Sequence, residues 1–142
     1  MAGNSNFDVI VIGAGSVGVP AAYYIAKAGL KVLVVDKYAS VGQGANKAAI
    51  GGVRATHSDT AKIRIGLKSI EILSAWEETF GDNIEWHTGG YTFVAYDERE
   101  EEILKGLLKI QHSYGLNIDW LERDELLRAA PALKADGLIG GT

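Results

Sequence analysis

FDVIVIGAGSVGVPAAYYIAKAGLKVLVVDK, residues 7–37, decides the fold. Residues 7–12 form a nearly continuous apolar, β-branched run, the pattern of a strand buried on both faces. Residues 16–27 read as a helix, with Pro20 near its first turn, where a missing N–H does least harm, and Gly29 as its stop. Residues 31–36 read as a second buried strand, so the stretch is a βαβ crossover with parallel strands. Between first strand and helix lie Gly13, Gly15 and Gly18 in the spacing GxGxxG. Gly13 permits the tight turn, Gly15 lets the backbone approach a pyrophosphate, and Gly18 lets the helix pack on the strand. The N–H groups of Ser16 and Val17 open the helix, where unpaired donors and the positive end of the dipole favour an anion. Asp36 closes the second strand 18 residues beyond Gly18, near the distance expected of a ribose-binding carboxylate, with Lys37 beside it. The arrangement predicts a dinucleotide, and on these residues alone FAD and NAD both remain open.

The rest of the composition narrows the function. Across 142 residues, 14 Lys and Arg stand against 18 Asp and Glu, a net charge of −4, with no basic stripe for nucleic acid. There is no cysteine, which removes disulfides, thiolate metal sites and cysteine nucleophiles. His57, His87 and His112 lack metal-ligand spacing and read as structural or surface residues, so no metal is expected. The apolar segment 9–28 is abutted by Asp8, follows no basic region and is interrupted by three glycines, so neither a leader nor a membrane span is expected and the cytoplasm is the default location.

Beyond Asp36 a simple doubly wound domain would continue with a helix, but residues 38–53, YASVGQGANKAAIGGV, form a Gly- and Ala-rich loop. Such a loop can lay further N–H groups along a pyrophosphate and on toward a flavin, which favours FAD over NAD. Ser58 is expected to cap a helix running to Phe80 and stopped by Gly81, with Trp76 and Phe80 in the core. A strand at 90–96, a helix at 98–114, a short strand at 118–121 and a helix at 123–130 follow, and the closing DGLIGGT is an apolar run with glycines and no evident helix or charged tail. The expected domains are an FAD-binding part, residues 1–84, and the beginning of a mixed α+β substrate domain, residues 85–142.

Four segments, GAGSVGVPAAYYIAKAG, VLVVDK, GQGANKAAIGGVR and TGGYTFVAYDEREEE, resemble the FAD-dependent amine and amino-acid oxidoreductases of the D-amino-acid oxidase superfamily, in the branch of sarcosine oxidase, glycine oxidase and dye-linked proline dehydrogenase. The resemblance spans essentially all 142 residues. It implies an α/β, Rossmann-type FAD domain leading into the substrate domain, and oxidation of the C–N bond of a proline-, sarcosine- or glycine-type substrate to an imine. It also implies that the chain is the N-terminal portion of a longer protein, completed by the remaining C-terminal chain or by a partner subunit. Gly44 and Ala45 match a family Gly-Ser contact to the FAD phosphates, Ala45 without the hydroxyl. Lys47 falls near a family histidine that lies beside the flavin or is joined to it. Gly51 and Gly52 let the backbone pass close to the flavin ring. Arg54 matches the arginine that holds the substrate carboxylate, a role suited to its planar fork of donors. No catalytic residue is assigned. Other FAD or NAD oxidoreductases, and a non-catalytic nucleotide-binding part, remain as alternatives.

Overall fold

The computed structural model describes residues 6–142. The chain divides into two compact units, one reaching to Gly52 and the other comprising Val53–Thr142. This packing division lies upstream of the functional division expected at residues 84 and 85.

In the first unit, strand β1 (Val9–Ile12) and strand β2 (Val32–Val35) pair in parallel, Val9 opposite Val32 and Ile12 opposite Val35. Helix α1 (Gly18–Lys27) connects them, carries Pro20 in its first turn and is followed by Gly29 at φ 91°. The crossover expected from the glycine-punctuated stretch is therefore present. The expectation that both strands are buried on both faces is overturned: Ile10 is 59% and Ile12 87% exposed. Two strands with one crossover helix cover a single face, and among the described residues nothing covers the other.

In the second unit the helix expected from Ser58 to Phe80 is two helices, α2 (Thr60–Ser74) and α3 (Trp76–Phe80). Asp59, not Ser58, is the N-cap, its carboxylate accepting the Lys62 N–H at 2.9 Å. Gly81, at φ 77°, ends α3. Trp76 and Phe80 stack at 4.5 Å, but Phe80 is 41% exposed, so the pair lies at the edge of the core. The largest fully buried side chains among the described residues are Ile63 on α2 and Leu126.

Helix α4 (Glu98–Ser113) begins at Asp97, whose side chain accepts the Glu100 N–H, and is followed by Gly115 at φ 75°. Strands β3 (Val94–Ala95) and β4 (Leu121–Glu122) are shorter than or displaced from the expected strands, and helix α5 (Arg123–Ala129) stops two residues before Pro131. The closing segment, to which the sequence assigned no helix, forms β5 (Gly140–Gly141), the middle strand of an antiparallel sheet in the order β3–β5–β4. The reason is steric. A Cβ on Gly140 would lie 2.5 Å from the Trp120 ring and 2.6 Å from the Leu121 oxygen, and one on Gly141 would overlap the Phe93 oxygen, so only glycine lets the outer strands close on the middle one.

Candidate functional site

The glycine turn of the first unit is set by backbone. Gly13, at φ 108°, donates its N–H to the Val35 oxygen at 2.7 Å, fastening the end of β1 to β2. Gly18 sits where a Cβ would overlap the Gly13 oxygen, so the helix can start this close to the strand only with glycine there. Helical hydrogen bonding begins with the Val19 N–H, which donates to the Gly15 oxygen at 3.0 Å, leaving the N–H groups ahead of it outside the ladder. The Ser16 N–H donates to Asn46 Oδ1 at 3.1 Å, and a Cβ on Gly15 would meet the same oxygen at 2.9 Å. Asn46 belongs to a single 3-10 turn, Ala45–Ala48, preceded by Gly44. An oxygen acceptor from the Gly-rich loop thus lies at the helix start, the kind of group the position attracts.

Asp36 is fastened into the same turn. One carboxylate oxygen accepts the Ala14 N–H at 2.6 Å and the other the Tyr38 N–H at 2.8 Å. These bonds, the one to Ala14 foremost, hold the carboxyl below its ordinary pKa because they favour the charged form. A carboxylate offers about four lone-pair sites, so two remain for ribose hydroxyls. The Gly42 N–H donates to the Ala14 oxygen at 2.9 Å, tying the following loop to the turn.

Gly13, Gly15, Ser16, Val17, Gly18 and Asp36 are therefore brought together, and the 3-10 turn adds Ala45 and Lys47, the Lys47 N–H donating to the Gly44 oxygen at 3.2 Å. Lys37 turns its ammonium onto the Tyr38 ring, 4.9 Å from the centroid. The Lys47 side chain has no ion pair among the described residues, and Gly51, at φ 75°, and Gly52 are exposed. Asn46 and Ala14 were missed by sequence reasoning. Asn46 could have been singled out as the single asparagine in the loop, whereas Ala14 acts through backbone alone.

In the second unit, Arg54 is half-buried, with its guanidinium carbon 4.9 Å from the Phe93 ring centroid and 5.8 Å from that of Tyr91. Among the described residues no carboxylate pairs with it. Arg54 and Phe93 line a hollow of about 220 Å³ that also includes Thr56 and Gln111. The Thr56 hydroxyl is buried without a hydrogen-bond partner, and Gln111 is 4% exposed. His112 contacts the Ile118 oxygen at 2.5 Å through Nε2, a structural tie, and among the described residues no cluster of His, Cys, Asp and Glu could hold a metal. No helix among them is long and apolar enough to cross a membrane.

Residues 8–142 match the family model described as FAD dependent oxidoreductase, DAO. The chain belongs to the DAO family of FAD-dependent oxidoreductases. It is 32% identical to glycine oxidase of Bacillus licheniformis over 142 residues, covering 94% of this chain and 36% of the relative. It is 29% identical over 141 residues to monomeric sarcosine oxidase of Bacillus sp. strain B-0618, covering 92% of this chain and 33% of that protein. Its fold superposes on the crystal structure of L-proline dehydrogenase from P. horikoshii with a TM-score of 0.84 and 28% identity, covering 96% of this chain and 36% of that one. The chain thus spans about a third of the length of these DAO-family relatives. The family's dependence on FAD fits the residues present. The turn that only glycine can form, the N–H groups ahead of the helical ladder and the doubly bonded Asp36 have the shape and the donor and acceptor groups that could hold the adenosine and pyrophosphate portion of such a cofactor.

Proposed function

We propose that this chain supplies the FAD cradle and the substrate-carboxylate clamp of an enzyme that oxidises the C–N bond of a small amino acid or secondary amine of the glycine, sarcosine or proline type. The observation that carries the reading is Arg54: a half-buried guanidinium attended by aromatic rings, bordering a hollow, with no carboxylate paired to it among the described residues. Such a group keeps its planar fork for a carboxylate brought by a ligand.

In this reading Gly13, Gly15, Ser16, Val17 and Gly18 cradle the pyrophosphate, and Asp36 accepts from the ribose hydroxyls, with Lys37 beside it. Gly44, Ala45 and Lys47 approach the phosphates through the loop, and Gly51 and Gly52 bring backbone close to the flavin ring. Arg54 binds the substrate carboxylate and orients the reacting C–H bond. FAD held by these residues would supply the two-electron oxidising power for converting the substrate C–N bond to an imine. Residues 1–84 serve the cofactor and 85–142 begin the substrate domain. The relatives' greater length supports catalysis by an assembly larger than these 142 residues, completed by further chain or a partner subunit. The absence of nucleic-acid binding accords with the net charge of −4, and the cytoplasm is the default location in this reading.

The test uses the FAD-loaded protein and follows bleaching of flavin absorbance without oxygen. Glycine, sarcosine and L-proline are compared with matched amines lacking the carboxylate, in wild type and Arg54→Ala. The expected outcome is loss of reduction by at least one amino acid on the order of 10- to 100-fold, with flavin content unchanged. Equal loss for amines without a carboxylate, or loss of flavin, would refute the clamp.

A further inference from the structure

Arg54 is held from two directions by parts of its own unit. From below, Gly66 on α2 is buried against the Arg54 backbone: a Cβ there would stand 2.5 Å from the Arg54 oxygen and 2.8 Å from Ala55 Cα, and Ala55 is 5% exposed. This contact fixes where the Arg54 side chain begins. At its far end the guanidinium meets Phe93 and Tyr91, whose rings lie 6.5 Å apart and within 19° of parallel. The two aromatics are two residues apart in an extended segment, which puts both on one face. Phe93 is further locked by a pair of backbone bonds with Thr142, each residue donating to the other's oxygen at 2.9 Å.

We propose that Tyr91 and Phe93 are positioning residues for Arg54, forming an aromatic shelf that aims the guanidinium fork at a ligand carboxylate. This deepens the proposed function and rests on the carboxylate-clamp reading. The physical point is the choice of partner. An internal carboxylate would also fix the guanidinium, but it would neutralise the charge and occupy the fork. An aromatic face attracts the cation through its quadrupole and supplies no oxygen acceptor, so position is gained while charge and donors are kept for the incoming anion. Holding the long side chain in advance also lowers the entropy lost on binding. Acting through Arg54, the shelf selects for carboxylate-bearing amines over amines without one.

The proposal is tested by side-chain ¹⁵N NMR of the FAD-loaded protein, with acetate as the carboxylate probe. The Arg54 Nε–H signal is assigned by its disappearance in Arg54→Lys. In wild type it should move on adding acetate. In Phe93→Leu and in Tyr91→Leu, acetate Kd should rise about two- to fivefold, the range expected from a partly exposed cation–π contact. Tyr91→Phe, which keeps the ring face, should restore the wild-type Kd. An unchanged Kd in both Leu variants beside a responsive wild type would overturn the shelf and leave the clamp standing. An Arg54 signal insensitive to acetate in wild type would overturn the clamp itself. If Phe93→Leu fails to fold, Tyr91→Leu decides, because its ring is 41% exposed and Tyr91 lies outside the paired strands.

Discussion

Asp36 fastens the glycine turn through the Ala14 N–H and, under the proposed function, keeps lone pairs for a ribose. Replacing it with Ala should weaken FAD binding on the order of tenfold or more, measured by fluorescence titration, because a charged acceptor and the turn's fastening are lost together. The pH dependence follows from the lowered pKa. A depressed carboxyl stabilises the fold fully above its unfolded value, about 3.9, and that contribution disappears as pH falls through the lower folded value. Wild type should therefore lose stability on acidification through that window more steeply than Asp36→Asn, as read by melting curves. The glycines separate in a similar way. Gly18→Ala drives a methyl into backbone and should destabilise the first unit, whereas in Gly15→Ala the obstacle is the movable end of Asn46. Gly15→Ala should fold, and Gly15→Val should fold yet fail to retain FAD, checked by flavin content after gel filtration. Gly13, Gly15, Gly18 and Asp36 could be singled out because spacing alone names them. Asn46 was not, since the signal that reveals it is a contact 30 residues away in sequence.

Among the elements, those with side-chain punctuation could be read and those made by tertiary contact could not. Helices α1, α4 and α5 stand close to their expected bounds because Gly29, Asp97, Gly115 and Pro131 mark their ends. The break at Ala75 carries no Gly or Pro, and β5 consists of two glycines with no apolar alternation to detect. What makes Gly141 a strand residue is its closeness to Phe93 and Leu126. Gly141→Ala should therefore cost roughly 1–3 kcal/mol by overpacking, seen as a lower urea midpoint for the second unit. Around the second unit's hollow, Arg54 was singled out through family resemblance, while Tyr91 and Phe93 were simply strand aromatics until the structure set them beside it.

At the scale of the whole molecule, the parallel crossover and family membership were legible, and the degree of burial was not. An apolar run implies two covered faces only if other elements are there to cover them, and Ile10 and Ile12 are exposed. Chemistry absent from the chain also has a consequence. With no cysteine anywhere and no histidine in residues 42–54, FAD held by this loop should leave it on denaturation, so mass spectrometry of digested, denatured protein should find no flavin adduct on the loop peptide.

The middle strand of the second unit sets an order of events during synthesis. β3 and β4 touch each other only through β5, whose residues are 140 and 141. While the ribosome is still making residues 96 to 139, those two outer strands have been or are being released without the segment that joins them. The residues of the first unit, which ends at Gly52, are all released before either strand is made. The second unit must wait for its central strand, a vectorial delay during which Phe93 and Trp120 lack the glycine pair that packs on them.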